Sequence, residues 1–321
     1  MDSNEANRAA WADLSLRRLP HTALFALLRA FGGPEAILAA TRAQLSAVVP
    51  DDVAACVREP VADDAVARAR AWLAQPGHHL VAWDDADYPQ ALLALGHAPP
   101  ALYFVGRREL LNAPAFAIVG SRHGTPQGVA NARNFAHTLA QAGLTIVSGL
   151  ALGIDAAAHE GALQGAGSTL AVVGTGLDRV YPARNRELAH AIARRGGIVS
   201  EFPPGTPPRE KNFPRRNRLI SGLAQGVLVV EAAPQSGSLI TARYAGEQGR
   251  EVFAIPGSIH SPLSKGCHQL IREGAKLVET AQDILAELGI AAPAVPAPAS
   301  APAQENALLA ALGREQRILL R

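Results

Sequence analysis

Leucines in the N-terminal stretch fall at helical spacing. Leu14, Leu16, Leu19, Leu24, Leu27, Leu28 and Phe31 predict one amphipathic face, interrupted at Gly32-Gly33-Pro34. That proline suits the first turn of a following helix carrying Ile37, Leu38, Leu45 and Val48. A further helix over 62–74 runs into Gln75-Pro76-Gly77, so residues 1–77 read as a small all-helical domain. Then the period changes. Residues 80–83 and 102–105 are short apolar runs separated by turn-rich stretches, and 78–112 read as a connector packed on the main domain.

From 113 to 289 apolar runs alternate with helical stretches. Strands are predicted at 116–119, 144–148, 169–173, 198–200, 227–231, 251–255 and 276–278, mostly as continuous Val/Ile/Leu/Ala runs of the kind buried on both faces. The clearest helices are 127–142, 154–164, 186–195 and 239–249, with Gly143, Gly197 and Gly249 where helices should stop. Repeated strand–helix–strand units predict an α/β fold with a doubly wound, mainly parallel sheet. Residues 290–304 form a Pro/Ala linker, and 305–321 open with an apolar helix that has no core of its own.

Composition narrows the class. The 48% hydrophobic and 18% charged content is that of a globular protein. Cys56 and Cys267 are in no ligand-like spacing, which predicts neither a zinc site nor a disulfide framework and fits a reducing cytoplasm. The polar N-terminus lacks a signal segment, and no apolar run is long enough to span a membrane.

Charge adds more. Five cations (Arg209, Lys211, Arg215, Arg216, Arg218) oppose one acid (Glu210) over 209–218, so 5 − 1 = +4 in a chain of net +2. Phe213 within this run adds an aromatic ring, a combination suited to a polyanion with stackable bases, although a solvated surface loop has the same composition. Phe213-Pro214 is expected to be extended, with a short helix over 218–223. In a doubly wound sheet, ligands bind beyond the carboxyl ends of the strands. There Gly120, Ser121 and Arg122 offer backbone donors and a guanidinium fork for phosphate. Ser236, Gly237, Ser238 and Thr241 open another helix and could hold a phosphate, or Ser238 could simply cap it.

Other chemistries fit less well. The first loop is not G-x-G-x-x-G and the second strand ends Ser148-Gly149, without the acid that binds a ribose in nicotinamide enzymes. Asp155 and His159 are four apart on one helix, with no third ligand at matching spacing; a helix-start cap and a partly buried hydrogen-bonding histidine account for them. No cofactor or metal is expected.

Taken together, several ordered motifs resemble the DNA-processing protein A (DprA/Smf) family. They are V-G-S-R at 119–122, S-G-L-A-L-G-I-D-A-A-A-H at 148–159, G-T-G-L-D-R-V-Y-P at 174–182, S-E-F-P-P-G at 200–205, F-P-R-R-N-R-L-I-S-G-L at 213–223, E-A-A-P-Q-S-G-S-L-I-T-A at 231–242 and R-E-V-F-A-I-P-G at 250–257. The resemblance implies an extended Rossmann-like domain that binds single-stranded DNA, protects it and loads the RecA recombinase onto it in natural transformation or recombination. It implies a homodimer, with the units over about 252–288 as the expected interface, and a single-strand-binding protein as a further candidate partner. It places DNA contacts on Arg122, Lys211, Phe213, Arg216, Asn217 and Arg218, with Gly120, Ser121, Gly237, Ser238 and Thr241 completing a phosphate cradle. Residues 1–77 resemble, more loosely, a helix-hairpin-helix or SAM-like unit, and 305–321 resemble the start of a truncated or rudimentary winged-helix domain.

The mechanism so implied is binding without covalent chemistry. Arg122, Lys211, Arg216 and Arg218 would each neutralise a phosphate, giving a single-strand salt slope of roughly −2.8. The rival is a nucleoside-monophosphate phosphoribohydrolase of the lysine-decarboxylase-like group. Its loop carries a catalytic glutamate where this chain has Thr241.

Overall fold

The computed structural model describes residues 3–17, 19–95 and 98–291. The winged-helix expectation at 305–321 and the Pro/Ala linker beyond 291 lie outside the described residues.

The N-terminal part holds α1 (Ser3–Leu16), α2 (His21–Phe31), α3 (Pro34–Ala39), α4 (Arg42–Ser46), α5 (Asp51–Arg58) and α6 (Asp63–Leu73). The single face expected over 14–31 is divided between α1 and α2. Pro20 stands immediately before α2, where its missing N–H costs nothing. Trp11, Leu14, Leu24, Leu27, Ile37, Leu45, Val57 and Trp72 form a core that continues into Leu80 and Tyr103 of the sheet.

The stretch expected to be a connector supplies two sheet strands. β1 (His78–Ala82) and β2 (Ala101–Gly106), with α7 (Gln90–Leu93) between them, extend one edge of the sheet in antiparallel fashion, β2 pairing with β6 (Gly197–Ser200). They were hard to place from sequence because two short apolar runs separated by loops carry no helix to announce a parallel crossover.

The parallel body follows the predicted alternation. Its elements are β3 (Ala115–Val119), α8 (Pro126–Gln141), β4 (Thr145–Ser148), α9 (Ile154–Ala162), β5 (Thr169–Val172), α10 (Arg186–Arg195), β6, α11 (Asn212–Gly222), β7 (Gly226–Val229), α12 (Gly237–Glu247), β8 (Glu251–Ala254), α13 (Lys265–Arg272), β9 (Lys276–Leu277) and α14 (Ala281–Glu287). The strand order is β1-β2-β6-β5-β4-β3-β7-β8-β9. Alternate side chains serve opposite layers. Phe116 and Ile118 meet Phe135 and Leu139 of α8, with Ile284 of α14, on one face. Ala117 and Val119 meet Leu219, Ile220 and Leu223 of the α11 region on the other. No helix among the described residues is long and apolar enough to cross a membrane.

Candidate nucleic-acid interface

β3 is hydrogen-bonded to both β4 and β7. The chain leaves β3 through α8 toward β4 and leaves β7 through α12 toward β8, so their outgoing loops diverge and open a crevice at the carboxyl ends of the strands. The crevice has a volume of about 730 Å³. Gly120, Ser121 and Arg122 line it from the β3–α8 loop, Phe213, Arg216 and Asn217 from α11, and Gly237, Ser238 and Thr241 from α12. Lys211 and Arg218, also expected at the site, are not among its lining residues.

Glu231 ties the two diverging loops together. Its main-chain oxygen accepts the Ser121 N–H at 2.7 Å, and its carboxylate accepts the Thr125 N–H at 2.8 Å and the Thr125 hydroxyl at 2.6 Å. Thr125 in turn accepts the Gly128 N–H at 3.0 Å and caps α8. A Cβ on Gly128 would come within 2.4 Å of the Glu231 carboxyl carbon, so only glycine admits this approach. Arg122, between the two tethers, is exposed, with its guanidinium carbon 5.6 Å from the centre of the Phe213 ring.

On the other side of the crevice the cap of α12 is Ser236, not Ser238. Its hydroxyl accepts the Ser238 N–H at 3.4 Å, and the helix starts at Gly237. The earlier start brings Gly237, Ser238 and Thr241 into the first turns, where the helix dipole favours an anion.

α11 corrects a second expectation. It begins at Asn212, so Phe213 and Pro214 lie in its first turn instead of an extended segment. Proline is tolerated there because first-turn N–H groups have no partner within the helix. Tertiary contacts overrule the local bias at Phe213. The Asn212 amide donates to the Gly174 oxygen at 3.0 Å, and the Phe213 ring packs over Gly174, where a Cβ would lie 3.1 Å from it.

The cations of this helix divide by burial. Arg216 is 5% exposed and donates to the Gly149 oxygen at 2.6 Å, to the Val172 oxygen, and through Nε to Asn217 Oδ1 at 3.2 Å. It closes the ends of β4 and β5 and supplies positive potential from beneath the crevice. Burial lowers its pKa to about 10, with Asp155 opposing the shift, so it remains a cation at neutral pH. Gly149 passes so close that a Cβ would fall 2.6 Å from the guanidinium. Asn217 donates to the Gly237 oxygen at 3.2 Å and joins α11 to the start of α12. Arg218 faces elsewhere, paired with Glu201 at 2.5 Å. Lys211 is exposed at the N-cap of α11. Of the two arginines expected to meet phosphates, Arg216 lines the crevice with its guanidinium already bonded to two carbonyls, and Arg218 lies outside the lining, paired with Glu201.

Asp155 lies in the first turn of α9 and accepts the Gly149 and Ala151 N–H groups at 3.1 and 3.3 Å. Burial raises its pKa, against the pull of Arg216. His159 is completely buried; its Nδ1 meets the Thr169 hydroxyl at 2.7 Å and its Nε2 accepts the Leu150 N–H at 3.3 Å. Burial, with Arg216 second, pushes its pKa down to about 3, and the ring is neutral. These residues hold Leu150, whose φ of 57° is left-handed, at the edge of the site.

Residues 79–289 match the family described as DNA recombination-mediator protein A. The chain belongs to that family. It is 52% identical over 218 residues to protein Smf of Escherichia coli, covering 68% of this chain and 58% of that relative. It is 51% identical over 203 residues to the DNA processing protein DprA of Streptococcus pneumoniae, covering 63% and 72%. The chain thus spans just over half the length of the Smf relatives from E. coli and Synechocystis, at 58% and 53%. The X-ray structure of the S. pneumoniae protein aligns with a TM-score of 0.76 at 39% identity, over 86% of this chain and 95% of that one. A Helicobacter pylori DNA processing protein A, whose structure concerns its single-stranded DNA binding mode, aligns with a TM-score of 0.60 at 32% identity, over 65% and 95%.

Sequence reasoning did not select Glu231 or Tyr181 for the site. Glu231 was visible as the end of an apolar strand and the first residue of the motif at 231–242, but its tether to Thr125 spans 106 positions. Tyr181 lines the crevice although it belongs to the β5–α10 connection. Its signal was the motif at 174–182, which placed it among family positions without giving it a task.

Proposed function

We propose that the protein binds single-stranded DNA in the crevice between β3 and β7. The observation that supports this most is the arrangement of an exposed Arg122, stacked near Phe213, opposite the dipole-positive start of α12. Arg122 meets a phosphate through its guanidinium fork, Gly237, Ser238 and Thr241 offer further donors, and Phe213 supplies an apolar face. Arg216 adds charge from below, Asn217 holds the two helices in register, and Lys211 meets the strand just outside the crevice. The reaction class is binding without covalent chemistry, and the bound strand is protected and offered to the RecA recombinase, in natural transformation or recombination. The resemblance to the DprA proteins supports this second step, as it supports a homodimer and contact with a single-strand-binding protein. Thr241, 1% exposed, stands where the rival hydrolases carry a glutamate. The test is competition: a labelled oligothymidylate bound to the protein should be displaced by unlabelled single strand and far less by a duplex of equal length. Equal displacement by duplex contradicts the proposal, and release of adenine from AMP favours the hydrolase.

A further inference from the structure

We propose that Tyr181 is a base-stacking residue of this interface, which rests on the single-strand reading above. Among the described residues the exposed large hydrophobics are Leu93, Tyr181, Ile259 and Leu277, and only Tyr181 lines the crevice. Its ring, 45% exposed, lies 5.7 Å centre to centre from Phe213, with the planes inclined by 31°. Phe213 is half-buried over Gly174, and Arg122 lies 5.6 Å from its centre. Arg122 and Tyr181 thus each lie beside Phe213, a guanidinium and a largely exposed aromatic ring sharing one neighbour at the crevice. Phe213, half-buried, is the shared neighbour, and Tyr181 is the more exposed of the two rings.

The segment carrying this ring is anchored. Four residues on, the Asn185 amide donates to the Leu150 and Ala151 oxygens at 2.9 and 3.1 Å, and its N–H returns to the Pro182 oxygen at 3.0 Å. Among the described residues no hydrogen bond fixes the Tyr181 hydroxyl, and the side chain is 45% exposed. An aromatic face held in place beside a phosphate site suits a nucleobase, and any base offers the π-surface it needs. A base on Tyr181 with its phosphate on Arg122 gives retention of the strand without reading its sequence.

The test uses the full chain with Tyr181→Ala and Tyr181→Phe, each titrated with an oligothymidylate and with an abasic strand of the same length. Tyr181→Ala should weaken oligothymidylate binding about 5- to 150-fold and leave the salt slope unchanged, since no charge is removed. Tyr181→Phe should bind like wild type, and the abasic strand should bind wild type and Tyr181→Ala alike. If wild type binds oligothymidylate and Tyr181→Ala binds it equally well, or if the alanine variant loses as much affinity for the abasic strand, the assignment of Tyr181 is overturned alone. If wild type binds neither strand, the single-strand reading falls and Tyr181 with it.

Discussion

Arg218 Nη2 lies 2.5 Å from Glu201 Oε2, with the two side chains 7% and 1% exposed. The same carboxylate oxygen also takes Arg215 at 3.0 Å and lies 3.8 Å from His21 Nε2 of α2. Arg215 Nη2 also meets His21 Nε2 at 2.9 Å, so the cluster around this buried acid joins the helical N-terminal region to α11, the helix that carries Phe213, Arg216 and Asn217.

Removing that acid should take from the buried Arg218 a carboxylate partner held at 2.5 Å. Glu201→Ala is expected to cost about 3–5 kcal/mol, read from urea unfolding. Replacing both partners, as Glu201→Leu with Arg218→Met, should recover most of the loss, because the desolvation of both charges disappears with them. A single Glu201→Ala variant as stable as wild type would show that the pair contributes nothing.

Glu231 should matter to binding through the loop it holds. Gly128→Ala forces a methyl group against its carboxylate and should cost about 1–3 kcal/mol in stability. Both Gly128→Ala and Glu231→Ala should weaken oligonucleotide binding, and the double variant should lose less than the sum, since each releases the same tether. Strict additivity in isothermal titration would place the two effects in separate parts of the protein.

His159 predicts a pH dependence of stability. Its folded pKa of about 3 lies below the ordinary histidine value of 6.5, so between these values the unfolded chain binds the extra proton. Stability is therefore present above about pH 6.5 and is lost as pH falls toward 3, by at most about 1.4 kcal/mol per unit from this group. Asp155, raised by burial, works in the opposite sense, so the comparison is with His159→Gln, which keeps Asp155 in place. Thermal unfolding from about pH 7.5 to 5 should fall more steeply for wild type than for the variant. Parallel profiles would contradict a buried neutral histidine.

Much of the parallel body was legible because buried strands such as 116–119 and 144–148 are continuous apolar runs, and 186–195 has a clear amphipathic pattern. β1 and β2 were not, since their membership of the sheet depends on pairing with β6, far away in sequence. At the site, the small residues at 120–121 and 236–238, singled out as helix-preceding loops, line the crevice. What charge alone did not reveal was the fate of each cation. Arg216 and Arg218 are two residues apart in one basic run, yet one donates to strand-end carbonyls and the other meets a carboxylate. Burial and partner identity separate them, and neither is written in a run of arginines.

Exposed charge at the crevice is the central claim, and its measure is the salt dependence of single-strand binding. Arg122 and Lys211 are the candidate residues whose charges face solvent, so the slope for oligothymidylate should be roughly −1.4, not the −2.8 of four free contacts. Fluorescence anisotropy with wild type, Arg122→Glu and Arg209→Glu decides the matter. Arg122→Glu should nearly abolish binding and Arg209→Glu should change it little. Equal losses in the two variants, or no binding by wild type at low ionic strength, would contradict a crevice built to hold unpaired DNA.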